Sequence, residues 1–436
     1  MHLPYNRRLL IAIGLFFVAG LFSLSVKLHP AIAAEPLTIQ FANFSRAATF
    51  VEPVDDFSSK IEAESVAILG ADQAIAFTRL ESPLPDPNRF DGDLLKAVGA
   101  GGPLAGSDGL DAANVPGARL NPVWGSIYNS GIPFGPSFDE YLGFLLGSSG
   151  DEQPHTMTGL QLLQQTLDQS NANVVVLPIT GSTEQESGYF PKPVGDVDGF
   201  EGIGLAGLCT EPWVFRYLPP AQNVLDGACD QLLADGVINE KGISFTRAAS
   251  GGGILDAVIE DTVQAFELFT PSGNLAALFQ DPDRNPGTAG ARFVHFPSWH
   301  QPFLITYMII NRDVWNQLTD AQQHLLTVMS RESLLATYVD HLSLQGDALA
   351  AILSINDDDD NPANNMKLSH WPDEDLARLR AAAEDFLAQR VENPEVSVQD
   401  REAYQTILAK LRGYMEANDI YWTARSVRSQ ARLRAQ

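Results

Sequence analysis

One carboxylate in this acidic chain differs from the others because its neighbours are apolar. Glu267 lies between Phe266 and Leu268, and an aromatic-rich segment with Trp299 and His300 follows it. A carboxylate among apolar residues is typical of a group held in a cleft, since solvated faces are usually polar throughout. The pattern predicts a binding site around Glu267.

The sequence lacks the motifs that would indicate a catalytic site around Glu267. No G-x-S-x-G motif supplies a hydrolase nucleophile. His295 and His300 are not part of an H-E-x-x-H motif, so they indicate a turn pair rather than a zinc site. We therefore expect no enzymatic activity and no required cofactor.

The N-terminus has the pattern of an export signal. Arg7 and Arg8 precede the apolar run Leu9–Val26, and Ala31-Ile32-Ala33 gives a small-x-small cleavage site. Residues 1–34 are thus predicted to be a signal peptide cleaved near Ala33/Ala34. An uncleaved signal anchor is the alternative, because the apolar run reaches the lower limit for a spanning helix.

Charge and length restrict the class of protein further. Removing the three basic residues of the predicted signal takes the formal net charge from −26 to −29. Such acidity argues against nucleic acid or an anionic membrane surface as a partner. A mature chain of about 400 residues exceeds one ordinary hydrophobic core, so two lobes are expected.

Two further features suggest a disulfide and a calcium loop, and each has an ordinary alternative. Cys209 and Cys229 would lie in an oxidising compartment, where a disulfide is plausible, and two buried free thiols are the alternative. The run Asp357–Asp360 lacks the ligand spacing of a calcium loop, so it indicates a solvated acidic insertion.

Hydrophobic patterns predict alternating helices and strands. Thr319 and Gln322 have the spacing of a capping box at the start of a long helix. Helices are also expected at 137–146, 156–169, 254–264, from Pro372 and at 398–418, and strands at 37–44, 173–177, 265–269 and 303–310. Residues 82–122 are rich in glycine, proline, aspartate and asparagine, which predicts an irregular loop. The alternation favours an α/β protein with mixed or parallel sheets.

Five collinear motifs carry a resemblance to a known family. They are Ile132-Pro-Phe-Gly135, Val175-Val-Leu-Pro178 with Gln185-Glu-Ser-Gly-Tyr-Phe190, Ala265-Phe-Glu267, Phe296-Pro-Ser-Trp-His-Gln-Pro302 and Ile310-Asn-Arg-Asp-Val-Trp315. In this order they resemble the motifs of the solute-binding proteins of tripartite ATP-independent periplasmic (TRAP) transporters. The likeness is to the DctP-like group, in the branch that binds keto acids and lactate.

The resemblance implies a two-lobed periplasmic binding protein of the type II kind, with crossing hinge strands. One lobe would contain residues 35–172 and about 269–302, and the other 173–268 and about 303–368, with C-terminal helices at 369–436. Such a receptor captures a small, acidic organic solute and delivers it to TRAP membrane permease subunits. Some relatives form homodimers through their C-terminal helices.

The resemblance also implies a ligand site. Its residues would be Phe134, Gln185, Glu267, Trp299 and His300. In the keto-acid branch, a bound Na⁺ or Ca²⁺ would be held by Gln185, Glu267 and the backbone carbonyl of Leu268, and would bridge to the anionic ligand.

One departure from the family leaves the ligand open. The segment Gly202–Leu208 lacks the arginine that clamps the ligand carboxylate in relatives, and Leu268 replaces a tryptophan. Arg216, Arg247 or the cation could take over the role of that arginine. The alternative function is an exported protein outside transport, either a divergent sensor subunit or a metal-dependent hydrolase.

Overall fold

The computed structural model describes most of the chain after the predicted signal peptide. The described residues are 37–43, 48–80, 93–121, 123–147, 157–190, 204–208, 237–238, 244–248, 265–266, 269–279, 292–354, 365–392 and 396–434. Glu267, Leu268, Cys209, Cys229 and Arg216 lie outside them, as do residues 1–34, the predicted helix at 254–264 and the Asp357–Asp360 run.

Two mixed β-sheets form the centres of two lobes. The first sheet has the order β2-β1-β3-β11-β4, and the second has the order β12-β10-β5-β9-β6-β8-β7. The strands are β1 Leu37–Asn43, β2 Ile75–Leu80, β3 Ala112–Pro116, β4 Val174–Ser182, β5 Gly188–Phe190, β6 Gly204–Leu208, β7 Val237–Ile238, β8 Ser244–Ala248, β9 Ala265–Phe266, β10 Phe293–Phe296, β11 Leu304–Asn311 and β12 Lys367–His370. The predicted α/β class with mixed sheets is confirmed.

Helices pack on the sheets and connect them. They are α1 Ala48–Leu69, α2 Asp93–Ala100, α3 Gly125–Ser130, α4 Phe138–Leu146, α5 Gly159–Gln169, α6 Pro271–Asn274, α7 Arg312–Gln317, α8 Asp320–Ser354, α9 Asp373–Glu392 and α10 Val398–Arg434. Within the ranges given above, no helix combines the length and the apolar character needed to cross a membrane.

The predicted start of the long helix α8 is confirmed. The backbone N–H of Thr319 donates to the side chain of Gln322 at 2.8 Å, and the N–H of Gln322 donates to the Thr319 hydroxyl at 3.3 Å. This reciprocal capping satisfies two backbone donors that the helix itself leaves free. From this start, α8 packs on β4 of the first sheet and on α6 beside the second.

Both faces of the first sheet are buried. On one face, Phe41 and Met308 pack with Phe57 of α1 and Leu326 of α8. On the other, side chains of β11 and β4 pack with α3, α4, α5 and the C-terminal helices, including Tyr141, Leu163, Leu387, Ile407 and Leu411. A strand covered on both sides is apolar almost throughout, which is why β11 has the sequence LITYMIIN.

The predicted loop at 82–122 is wrong in part, since it contains α2 and β3. Strand β3 has the sequence AANVP, which has little β-propensity of its own. It is held between β1, with which it runs parallel, and β11, with which it runs antiparallel. Pairing with two neighbours outweighs the weak local preference.

The sheets also divide the chain differently from the predicted lobes. Strands β4 and β11, placed in the second lobe by the predicted boundaries, lie in the first sheet with β1–β3. Strand β10, placed in the first lobe, lies in the second sheet beside β5. The predicted boundaries at 173, 269 and 303 therefore need correction, because the chain crosses between the sheets after β4 and before β11.

Candidate functional site

Two short segments lead directly from a strand of one sheet to a strand of the other, while the longer stretch that contains α7 and α8 leads from β11 to β12. Residues 183–187 lead from β4 to β5, and residues 297–303 lead from β10 to β11; we call them the crossing segments. The N–H of Ser187 donates to the carbonyl of His295 at 2.8 Å, and the Ser187 hydroxyl donates to the carbonyl of Pro297. The crossing segments are thus joined side by side where the two lobes meet.

Two of the predicted site residues are in contact at this junction. The rings of Phe134 and Trp299 are stacked, with centroids 5.6 Å apart and planes 20° apart. The N–H of Phe134 also donates to the carbonyl of Trp299 at 2.7 Å. Phe134 therefore joins the loop before α4 to a crossing segment by both its ring and its backbone.

The backbone of Phe134 is in the left-handed region, with φ of 55°. This conformation costs a residue with a side chain about 1–2 kcal/mol. The hydrogen bond to Trp299 and a second one, from Gly135 N–H to the carbonyl of Ile132 at 2.8 Å, hold the turn in place. A strained turn that aims one aromatic ring at a junction between lobes is typical of a functional position.

His300 lies next to this aromatic pair. Its ring contacts Trp299 edge to face, at a centroid distance of 5.4 Å, and its side chain is fully buried. Trp299 is also buried. The structure thus brings Phe134, Trp299 and His300 together on one side of the junction.

Gln185 lies on the other crossing segment and has an unsatisfied acceptor. Its side chain is 7% exposed, and its Oε1 atom has no hydrogen-bond partner among the described residues. A buried acceptor without a partner costs about 1–3 kcal/mol. This oxygen is therefore placed to accept a donor from a ligand or to coordinate a cation.

Phe266, the residue before Glu267, is the last described residue of β9. Phe266 pairs with Tyr189 in the ladder between β9 and β5, and the two rings stack with centroids 4.8 Å apart. Tyr189 follows Gln185 closely along the chain. The backbone leading to Glu267 thus runs beside the segment that carries Gln185.

Sequence reasoning missed a buried acid at the same junction. Glu186 is 1% exposed; the Tyr189 hydroxyl donates to it at 2.5 Å, and the Asn274 amide donates at 3.2 Å. Burial, followed by the charge of Glu186, raises the pKa of Tyr189 well above its usual value. In a chain with 54 acidic residues, the sequence offers no signal that separates Glu186 from the rest.

A basic side chain at the aromatic pair was also missed. The guanidinium carbon of Arg380, on α9, lies 4.4 Å from the centroid of the Phe134 ring. None of the described carboxylates forms an ion pair with Arg380. The site therefore has a positive charge that comes from a C-terminal helix.

A metal site made by the described side chains alone is not present. In the described part of the chain, no three or more histidine, cysteine, aspartate or glutamate side chains are grouped so that they could hold a metal ion. Any cation at this junction would need ligands of other kinds, such as an amide oxygen or a backbone carbonyl.

Comparison with models of known protein families finds no match, and no curated protein is matched by sequence. Comparison with solved structures is informative, because many chains share the fold. A TRAP periplasmic solute-binding protein from Colwellia psychrerythraea, with bound calcium and pyruvate, has a TM-score of 0.62 at 17% identity. That likeness covers 91% of this chain and 99% of the other.

Two further structures agree with the first. A TRAP transporter solute-binding protein from Bordetella bronchiseptica, a dimer with calcium and picolinate in one active site, has a TM-score of 0.59 at 14% identity over 92% of this chain and 100% of the other. A TRAP periplasmic solute-binding protein from Pseudoalteromonas atlantica, with bound sodium and pyruvate, has a TM-score of 0.58 at 16% identity. That likeness covers 89% of this chain and 99% of the other.

The two sheets and the junction between them form the two-lobed α/β fold that these solved periplasmic solute-binding proteins share. More particularly, the fold is that of the TRAP transporter solute-binding proteins. This agrees with the fold that the motifs implied.

Proposed function

We propose that this protein is an extracytoplasmic receptor that captures a small organic acid between its lobes for a TRAP-type importer. The observation that supports the proposal is the junction itself, where strained Phe134 packs with Trp299 and His300 of one crossing segment, and the unsatisfied Gln185 lies on the other. Structural neighbours with this fold, described as solute-binding proteins, hold pyruvate or picolinate.

Each predicted site residue has a role in this proposal. The aromatic pair of Phe134 and Trp299 would form an apolar wall, and buried His300 would supply a polar group beside it. Gln185 would contact the solute or a cation through its free oxygen. Arg380 would add positive charge near the wall, which favours an anion.

A bound Na⁺ or Ca²⁺ fits the donor set. The unpaired, buried oxygen of Gln185 is the kind of neutral ligand these cations accept. We propose that Glu267 and the backbone carbonyl of Leu268 complete the site, since the strand that leads to them pairs beside the Gln185 segment. The cation would supply charge for the solute carboxylate.

The partners and location follow from the same proposal. The receptor would work in the periplasm and deliver its solute to TRAP permease subunits. The end of α10 offers a surface for a second copy, because Ile420 is 85% exposed and Tyr421 is 65% exposed. A homodimer through the C-terminal helices is thus proposed.

Thermal unfolding of the purified protein tests the proposal. A ligand present at one hundred times its Kd stabilises the native state by about 2.7 kcal/mol, which raises Tm measurably. We expect Tm to rise with one or more small carboxylates, and to rise further when Ca²⁺ or Na⁺ is also present. A panel of organic acids that leaves Tm unchanged, with and without cations, would contradict the receptor function.

A further inference from the structure

Glu186 connects two elements of the structure through the two oxygens of its carboxylate. The Tyr189 hydroxyl of β5 donates to Oε1 at 2.5 Å, and the Asn274 amide of α6 donates to Oε2 at 3.2 Å. Glu186 is 1% exposed, and Tyr189 and Asn274 are 0% exposed. Hydrogen bonds to an ionised acceptor are roughly twice as strong as neutral ones, so this buried carboxylate is a firm link between β5 and α6.

The first donor, Tyr189, holds the end of β9. Tyr189 pairs with Phe266 in the ladder between β5 and β9. The two rings stack with their planes 8° apart, and the Tyr189 ring also contacts the buried ring of Phe279. Phe266 is thus attached to Tyr189 by both its backbone and its ring.

The second donor, Asn274, holds the residue at which the described chain resumes. Its amide donates to the carbonyl of Phe269 at 2.8 Å, and its side-chain oxygen accepts from the N–H of Phe269 at 3.3 Å. Along the chain, only Glu267 and Leu268 separate Phe269 from Phe266. The two donors to Glu186 therefore hold the residues on either side of this pair.

Helix α6 is also tied to α8. The N–H of Ser272 donates to the side chain of Gln345 at 3.0 Å, and the Gln345 amide donates to the Ser272 hydroxyl at 2.9 Å. Helix α8 in turn packs on β4 of the first sheet. The helix that carries Asn274 is thus attached to an element of the first lobe, and Glu186 attaches it to a crossing segment.

We infer that Glu186 is a positioning residue for the proposed cation site. It is the neighbour of Gln185, and through its two donors it sets where Glu267 and the Leu268 carbonyl lie relative to that residue. The inference rests on the proposed function and adds a residue to its site. Because both oxygens of Glu186 already accept hydrogen bonds, its role is to hold the cation ligands in place.

Calorimetric titration of the purified protein with Ca²⁺, and separately with Na⁺, measures this role. Glu186→Gln keeps the shape but offers one acceptor oxygen in place of two, so one link is lost. Removing a group that orients metal ligands lowers metal affinity roughly 10- to 100-fold, and we expect the Kd of the cation to rise by that factor. Tyr189→Phe keeps the stacked ring and the charge of Glu186, and should raise the Kd as well.

A paired exchange separates the position of the ligands from the charge of Glu186. Asn274→Asp alone places a second carboxylate against Glu186 and should weaken cation binding. When it is combined with Glu186→Gln, the new glutamine amide can donate to the new aspartate, which can still accept from the N–H of Phe269. Affinity for the cation should therefore recover in part.

Ser65→Ala is the matched control for a general loss of stability. Ser65 is a buried residue of α1, and its hydroxyl accepts from the N–H of Ile75 at 2.9 Å. Its replacement should lower Tm, as the loss of a link at Glu186 does. The Kd of the cation should stay unchanged in this control.

The outcomes separate this inference from the receptor function. An unchanged Kd in Glu186→Gln, or an increase that Tyr189→Phe does not share, overturns the inference and leaves the receptor function standing. Tyr189→Phe decides alone if Glu186→Gln does not fold. An unaltered protein that binds neither cation also overturns the inference, whereas the receptor function fails only if the panel of organic acids leaves Tm unchanged too.

Discussion

The guanidinium of Arg380 lies over the ring of Phe134, 4.4 Å from its centroid. The same ring stacks on Trp299 of a crossing segment. One aromatic side chain therefore connects a C-terminal helix, the strained turn before α4 and the junction between the lobes. The position of α9 is coupled through this contact to the place where a solute would bind.

Replacing Arg380 tests this contact. An exposed cation–π pair contributes about 0.5–1 kcal/mol. Arg380→Met keeps most of the apolar stem but removes the charge, and should lower the free energy of unfolding in urea by that amount. Arg331→Met is the matched control, since Arg331 is an exposed arginine of α8; an equal loss in both variants would contradict the prediction.

Gln185→Met should make the protein more stable and bind less well. Methionine has a similar shape and removes the buried, unpaired oxygen, so we expect the unliganded protein to gain about 1 kcal/mol. The shift in Tm caused by organic acid and cation should shrink or vanish. Differential scanning fluorimetry with and without ligand measures both effects.

Gln322→Met is the control for this change. Gln322 is also buried, but its side chain accepts from the N–H of Thr319 and donates to the carbonyl of Gln73. Its replacement should therefore destabilise the protein. A loss of stability in Gln185→Met as well would indicate that Gln185 has a partner in the unliganded state.

Stability should fall on the acidic side of neutrality because of His295. Burial is the main cause that lowers its pKa, to about 4 against an ordinary 6.5. As pH falls below 6.5, the unfolded state takes up a proton that the folded state does not. The free energy of unfolding should therefore fall by up to about 1.4 kcal/mol per pH unit between pH 6.5 and 4.

Urea unfolding over that pH range measures the effect. His295→Phe keeps an aromatic ring against Phe190 and Trp371 and should give a shallower slope. Burial lowers the pKa of His341 as well, so part of the slope should remain. An unchanged slope in the variant would show that His295 does not control the acid response.

Gly143→Ala should weaken the attachment of the C-terminal helix. A Cβ atom at Gly143 would lie 1.9 Å from the hydroxyl oxygen of Tyr414 on α10, so that ring would have to move. Displacement also breaks the hydrogen bond from Tyr414 to the carbonyl of Glu140. We expect a loss of about 1–3 kcal/mol in the free energy of unfolding.

Gly413→Ala provides the opposite case. Gly413 is inside α10, and a Cβ atom there meets nothing within 4 Å. Alanine should therefore stabilise the helix by about 0.5–1 kcal/mol. If both alanine variants changed stability in the same direction, close packing of Gly143 on Tyr414 would not be the cause.

The sequence predicted those helices and strands that are specified by residues close together along the chain. The capping pair Thr319 and Gln322, the β-branched strand at 304–311 and the apolar face of α10 all follow from nearby residues. Strand β3 could not be predicted in this way, because AANVP becomes a strand only between β1 and β11. The lobe boundaries were wrong for the same reason, since sheet membership depends on distant pairing.

The candidate site also combines residues that the sequence motifs selected with residues that only the folded structure reveals. The motifs selected Phe134 and Trp299, and the structure stacks them, while their role in binding stays a prediction. Arg380 and Glu186 had no signal in the sequence. An arginine on a helix and one acid among 54 become notable only when folding places the first against an aromatic ring and buries the second.

The position of β11 has a consequence for how the chain folds. This strand, at residues 304–311 of 436, lies between β3 and β4 and is the neighbour of both. Until it is synthesised, β4 has no partner in the first sheet, and a fragment that ends before residue 304 should not form a stable first lobe. Contacts so distant along the chain make folding slow. The topology thus delays the completion of the first sheet until most of the chain has been made.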